Sequence, residues 1–187
     1  QISAVVKRFS QEGACVQKLA NPDRFNVVIS LTDNTDPELI NDLLNTKLDY
    51  GPIEGSKRLR KAIAKLYETG DLDNIAISHG CINANELVLI SLLEKGDHLI
   101  SITPTYQQMY SFPESFGVET DLVELKEGND WLPDLDDFKR AIKDNTKMIC
   151  LVNPNNPTST KFSKEFLLKL VKLAKKYNLY ILCDEVY

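Results

Sequence analysis

Tyr180-Ile181-Leu182-Cys183-Asp184-Glu185-Val186-Tyr187 carries an apolar run into a carboxylate and, three residues later, a phenol. In open α/β sheets, ligands bind in the crevice outside the carboxyl ends of the strands. A run that ends this way therefore reads as a strand and as one wall of a site. A carboxylate at the end of a buried strand must be paired or hydrogen-bonded, because a stranded charge in low dielectric is costly. A protonated heterocyclic nitrogen is a suitable partner for Asp184; capping of the next loop is the plainer alternative.

Upstream of this ending the chain alternates helix and strand by periodicity. Residues 56–67 read as an amphipathic helix, 75–78 as a short strand, and 84–93 as an apolar-rich helix closed by Lys95 and Gly96. A strand is expected at 98–102, a helix at 106–116 interrupted by Pro113, and a strand at 119–125. A helix at 134–143, a strand at 148–152, a helix at 166–176 with Ser163 as N-cap, and a strand at 180–183 complete the pattern. Such alternation predicts an α/β fold with a mostly parallel sheet flanked by helices, its short aliphatic strands buried on both faces. The first fifty residues break the pattern, with an amphipathic candidate at 2–9, a strand at 26–31 and a helix at 38–44. They read as an N-terminal arm and the start of a small domain (1–45), ahead of a larger domain at 46–187.

Composition bounds the function classes. Hydrophobic content of 43% and charged content of 26% over 187 residues are ordinary for a globular chain. No run approaches the roughly 18 apolar residues of a membrane span, and no signal peptide opens the sequence, which begins at Gln1. A net charge of -5 argues against nucleic acid, and the Lys57-Arg58-Leu59-Arg60-Lys61 cluster reads as a solvated helix face. Four cysteines without a CxxC pair, Cys150 and Cys183 inside apolar runs, fit a reduced cytoplasmic protein. Two histidines leave little for a metal site, and none is expected.

Three further strand ends point at the same crevice. At Ser78-His79-Gly80-Cys81-Ile82-Asn83-Ala84, glycine lets the backbone approach a ligand, and the first helical amides are free donors at the positive end of the dipole. Main-chain groups of Gly80, Cys81 and Ile82 therefore make a phosphate site, although a glycine at such a junction is often a plain turn. After Thr103-Pro104-Thr105, the ring of Tyr106 stands where it can stack on a flat cofactor or pack half-buried. Asn153-Pro154-Asn155-Asn156-Pro157-Thr158 is a stiff non-helical loop in which Asn156 can donate to a ligand oxygen. Turn chemistry alone also accounts for such a segment.

These residues, with Tyr50-Gly51-Pro52-Ile53-Glu54-Gly55 and Leu59-Arg60, resemble the class I/II aminotransferases, fold-type I enzymes that use pyridoxal 5′-phosphate. The resemblance runs in order from Tyr50 to Tyr187, and the Asn-Pro loop and Asp-Glu-Val-Tyr ending are its specific parts. It implies that Asp184 pairs with the pyridine nitrogen and that Asn156 and Tyr187 bond the ring's phenolic oxygen. It further implies that Tyr106 stacks on the ring, that Cys81 and Ile82 hold the phosphate, and that Tyr50 reaches the phosphate of a neighbouring subunit in a homodimer. The implied substrates are an amino acid and a 2-oxo acid; nucleic acid and membrane are not expected partners.

Departures from the family pattern are as informative. Ser159 stands where the family's loop has glycine, which strains the loop if that position needs a positive φ. The N-terminal glycine near the substrate carboxylate is missing from Ser30-Leu31-Thr32-Asp33-Asn34, where only Asn34 is a candidate for a substrate role. The Schiff-base lysine and two arginines implied by the resemblance lie beyond Tyr187, so the chain reads as roughly the N-terminal half of an enzyme, inactive alone. Lys175-Lys176 reads as a solvated helix end. A carbon-sulfur β-lyase, a synthase of the same fold, and a non-catalytic effector-binding domain share these motifs. A P-loop at Gly51 to Lys57 fails on spacing, with three residues between the glycines and Ser56 before Lys57.

Overall fold

The computed structural model describes residues 15–20, 26–31, 37–45, 50–67 and 70–187. They fall into two units, residues 1–51 and 52–187. In the first, strands β1 (Cys15–Ala20) and β2 (Asn26–Leu31) pair antiparallel from Cys15↔Leu31 to Ala20↔Asn26, and helix α1 spans Pro37–Asn45. The sequence pattern anticipates β2 and α1 but not β1. The amphipathic candidate at 2–9, and Asn34, lie outside the described residues.

The second unit is an α/β fold around a four-stranded parallel sheet. Helix α2 (Lys57–Ala64) begins at Ser56, whose side chain accepts from the Leu59 N–H. Then follow α3 (Cys81–Leu92), β3 (His98–Thr103), α4 (Gln108–Ser115) and β4 (Glu119–Glu124). Helix α5 (Leu135–Ala141), β5 (Thr146–Val152), α6 (Lys164–Tyr177) and β6 (Tyr180–Asp184) complete it. The strand order is β4-β3-β5-β6. All three pairings are parallel, with Ile100↔Asp121, Ile100↔Ile149 and Val152↔Asp184 in register.

The pleat of the central strands sorts their side chains to two cores. From β5, Met148, Cys150 and Val152 pack with Leu89 of α3 and Met109 of α4. The intervening Ile149 and Leu151 pack on the other face with Ile100, Ile102, Phe138 of α5, and Leu170 and Leu173 of α6. Burial on both faces holds for β3 and β5 only. β4 and β6, at the sheet edges, are half exposed apart from residues such as Val123 and Asp184. Each wholly buried side chain such as Phe138 or Leu151 contributes about 1.5–3 kcal/mol of transfer free energy, so these cores fix the strand register from which the site is built.

One expected strand is absent. Residues 75–78 are not part of the sheet; they follow a 3-10 turn at Leu72–Asn74. The Ile77 N–H donates to the Glu54 carbonyl at 2.9 Å, an isolated bond and not a ladder. Ile75 and Ile77 are half-buried and Ala76 is exposed. Among the described residues, no helix is long and apolar enough to cross a membrane.

Candidate active site

The carboxyl ends of β5 and β6 and the N-terminus of α3 enclose a cavity of about 220 Å³. Its lining comprises Cys81, Ile82, Tyr106, Val152, Asn156, Asp184, Val186 and Tyr187. Six of these are residues that the sequence nominates, drawn from four separated segments. Gly80 precedes them as the residue before α3, with φ +90, and a Cβ built there meets nothing within 4 Å. The glycine thus leaves open space in front of the helix end. Tyr50, the remaining nominee, belongs to the first unit and is exposed.

Asp184 ends β6 and is 5% exposed. Its Oδ2 accepts from Asn85 Nδ2 at 2.8 Å, and its Oδ1 accepts from the Val186 N–H at 3.1 Å. Among the described residues it pairs with no lysine, arginine or histidine. A buried acid satisfied by two neutral donors still lacks a countercharge, and the cavity is where one can enter. Burial, then the neighbouring Asp184 carboxylate, pushes the Cys81 thiol up from its ordinary value, so it is a neutral wall of the cavity. Burial likewise pushes Cys183, on the preceding residue of β6, up to about 12.

Two tight loops hold the other walls. The Thr103-Pro104, Asn153-Pro154 and Asn156-Pro157 bonds are cis. Asn155, 2% exposed, sits between the loops: its Nδ2 donates to the Pro104 carbonyl at 3.0 Å and to Thr158 Oγ1 at 2.8 Å. Its Oδ1 accepts from the Thr105 hydroxyl at 2.9 Å. Asn153 continues the β5–β6 ladder, its N–H donating to the Asp184 carbonyl at 2.9 Å, while its Oδ1 accepts from the Phe162 N–H at 2.8 Å. Tyr106 and Asn156 therefore flank residues that are pinned to each other. Ser159 has φ +60, so the position does require the left-handed conformation, and serine adopts it with its N–H donating to the Asn155 carbonyl at 2.7 Å.

Sequence reasoning missed Asn85, Gln108 and Asn155. Asn85 occupies the face of α3 shared by Cys81 and Leu89, one turn from each, and is 4% exposed. A lone amide on an apolar stripe was the available signal. Gln108 and Asn155 gave none, since an amide at a helix start or in an Asn-Pro loop is accounted for by local turn chemistry.

A crevice at the carboxyl ends of a parallel sheet, with helical amides on one side and a buried acid on the other, is where α/β folds in general take their ligands. Residues 31–187 match the family described as aminotransferase class I and II. The chain belongs to that family. It is 32% identical over 190 residues to the glutamate-pyruvate aminotransferase AlaA of Escherichia coli K12, a match covering 97% of this chain and 46% of that protein. It is 30% identical over 175 residues to an aspartate aminotransferase of Pyrococcus horikoshii, covering 88% of this chain and 45% of the relative. Among solved structures, a PLP-dependent aminotransferase of Streptococcus suis superposes with a TM-score of 0.79 at 47% identity, covering 82% of this chain and 41% of that one. The chain thus spans about half the length of the relatives it matches.

Proposed function

We propose that this chain supplies the cofactor-holding half of a pyridoxal 5′-phosphate-dependent aminotransferase, which moves an amino group from an amino acid to a 2-oxo acid. The observation that carries the reading is the buried Asp184 carboxylate, without a cationic partner among the described residues, facing a cavity that α3 enters by its N-terminus. The residues fit the group: an acid for a protonated ring nitrogen, unpaired first-turn amides and open space at Gly80 for a phosphate, and an aromatic wall. When bound, pyridoxal phosphate supplies an electron sink for the pair left at the substrate's Cα.

On this reading Asp184 keeps a proton on the ring nitrogen, the state in which the ring withdraws electrons best. Asn156 and Tyr187 donate to the ring's phenolic oxygen and set its orientation. Tyr106 covers one face of the ring, excluding water there. The amides of Cys81 and Ile82 hold the phosphate. Tyr50 reaches the phosphate of a neighbouring subunit, which makes the whole protein a homodimer with shared sites. The Schiff-base lysine and the arginines for phosphate and substrate carboxylate come from sequence other than these 187 residues. Relatives named as aminotransferases favour transamination over carbon-sulfur lysis, and a reduced, cytoplasmic setting agrees with free Cys81, Cys150 and Cys183.

The test is Asp184→Ala in the full-length protein. Turnover of an amino acid with a 2-oxo acid should be lost while far-ultraviolet circular dichroism is retained; near-normal turnover would overturn the reading. Release of the thiol, pyruvate and ammonia from a cysteine S-conjugate without a 2-oxo acid would assign the site to a lyase.

A further inference from the structure

Asn85 lies outside the cavity lining, on the second turn of α3, and both hydrogens of its side-chain amide are committed. One goes to Asp184 Oδ2 at 2.8 Å and the other to Gln108 Oε1 at 3.2 Å. Gln108 is oriented in turn, because its Nε2 donates to the Ile82 carbonyl at 2.7 Å. The directions are forced. Flipping Gln108 would set its oxygen against a carbonyl, and flipping Asn85 would set its oxygen against both a carboxylate and the Gln108 oxygen. The chain of bonds therefore has one arrangement, with the nitrogen of Asn85 toward the acid.

The route it takes is specific: from the Ile82 carbonyl in the first turn of α3, through Gln108 at the start of α4 and Asn85, to the carboxylate at the end of β6. All three side chains are buried, Gln108 at 8%, Asn85 at 4% and Asp184 at 5% exposure. Such a network is fully satisfied and holds its members rigidly. Without Asn85 the carboxylate would lose its amide donor, and the Cys81 thiol beside it and the Val186 N–H would hold it less firmly against turning about its bond to Cβ.

We infer that Asn85 is a positioning residue, which with Gln108 holds the Asp184 carboxylate in one orientation and in register with the phosphate-binding turn of α3. The inference rests on the role proposed above for Asp184. In function, it makes the spacing between the acid and the first turn of α3 a property of the fold, set before any cofactor binds.

The test uses the full-length protein loaded with pyridoxal phosphate isotope-labelled at the ring nitrogen, whose nuclear magnetic resonance shift reports protonation. In the unaltered protein the nitrogen should stay protonated between about pH 6 and 9. In Asn85→Leu, a similar volume without donors, it should titrate inside that range. The cofactor's Kd should rise about tenfold or more, the worth of a hydrogen bond to a charged group. Asn85→Ser, which leaves less to repack, should move both readouts the same way by less and decides the matter if the leucine variant does not fold. Unchanged shift and Kd in the Asn85 variants, with both altered in Asp184→Ala, would discard Asn85 and leave the site standing. An unchanged shift in Asp184→Ala would instead remove the reading of the site, and the role of Asn85 with it.

Discussion

Replacing Asn155 by leucine should loosen the loop between β5 and α6 without disturbing the cores. The side chain makes three hydrogen bonds, to the Pro104 carbonyl and to the Thr105 and Thr158 hydroxyls, from a position 2% exposed. A net worth of about 0.5–1.5 kcal/mol for each bond gives a total near 3 kcal/mol. The Thr105 hydroxyl can turn to another acceptor, but the Pro104 carbonyl and Thr158 Oγ1 lose the donor that Asn155 supplies, so about 2–3 kcal/mol is the expected loss. That loss falls on local opening of residues 153–160 and 103–106, where it corresponds to amide hydrogen exchange faster by roughly 30- to 150-fold. The reporters are Ser159, whose N–H donates to the Asn155 carbonyl, and Phe162, whose N–H donates to Asn153 Oδ1. Exchange-rate measurement on the full-length protein, with the buried amides of β3 as an internal reference, reads both. Acceleration below about threefold, which is under 0.7 kcal/mol, would refute the argument that Asn155 holds the two loops together.

Two further outcomes follow from backbone strain and burial. Ser159→Gly should raise the melting temperature by about 1–2 °C: relief of the left-handed conformation outweighs the extra chain entropy of glycine by about 0.5 kcal/mol. A lowered melting temperature would show that the serine is not strained. His98 is fully buried, its Nδ1 2.7 Å from Thr146 Oγ1 and its Nε2 3.3 Å from Asp121 Oδ2. Thr146 Oγ1 also accepts the Lys143 N–H. Burial, then the Lys143 ammonium, lowers the proton affinity of His98, against the pull of Asp121 and Glu119. The unfolded chain therefore takes up a proton near pH 6.5 that the folded chain refuses. The stability is fully present above that pH and falls below it, by up to about 1.4 kcal/mol per pH unit. Hydrogen bonding from Lys143 lowers Asp121, whose contribution is lost only at more acidic pH, below the unfolded carboxylate value. Unfolding of His98→Gln measured between about pH 5 and 7 should show a shallower slope, and an identical slope would refute the assignment.

The parallel sheet was legible because β3 and β5 are apolar on both faces, a pattern that only a strand between two helical layers satisfies. Strand ends were legible for the same reason, since proline or a charge interrupts each run. Residues 75–78 misled because Ile-Ala-Ile-Ser has the apolar content of a strand, and content does not report whether a neighbour is available to pair. β1 escaped notice for the opposite reason: Cys15-Val16-Gln17-Lys18-Leu19-Ala20 lacks both clean alternation and a sustained apolar run.

Within the site, the sequence distinguishes residues that face a ligand less well than residues that end a strand. Asn153, Asn155 and Asn156 are chemically identical, yet the structure gives them three tasks: Asn153 extends the ladder to Asp184 and holds Phe162, Asn155 ties two loops, and Asn156 alone lines the cavity. Asn155 is 2% exposed and turned onto the two loops, while the next residue, Asn156, lines the cavity. An amide can be presented at fixed orientation to a ligand only if its neighbour is anchored, and anchoring a loop without regular structure takes a side chain with donors and an acceptor together. Aspartate lacks the donors, and serine lacks the reach to bond the Pro104 carbonyl, Thr105 and Thr158 at once. An asparagine behind an asparagine is what the geometry of this wall demands.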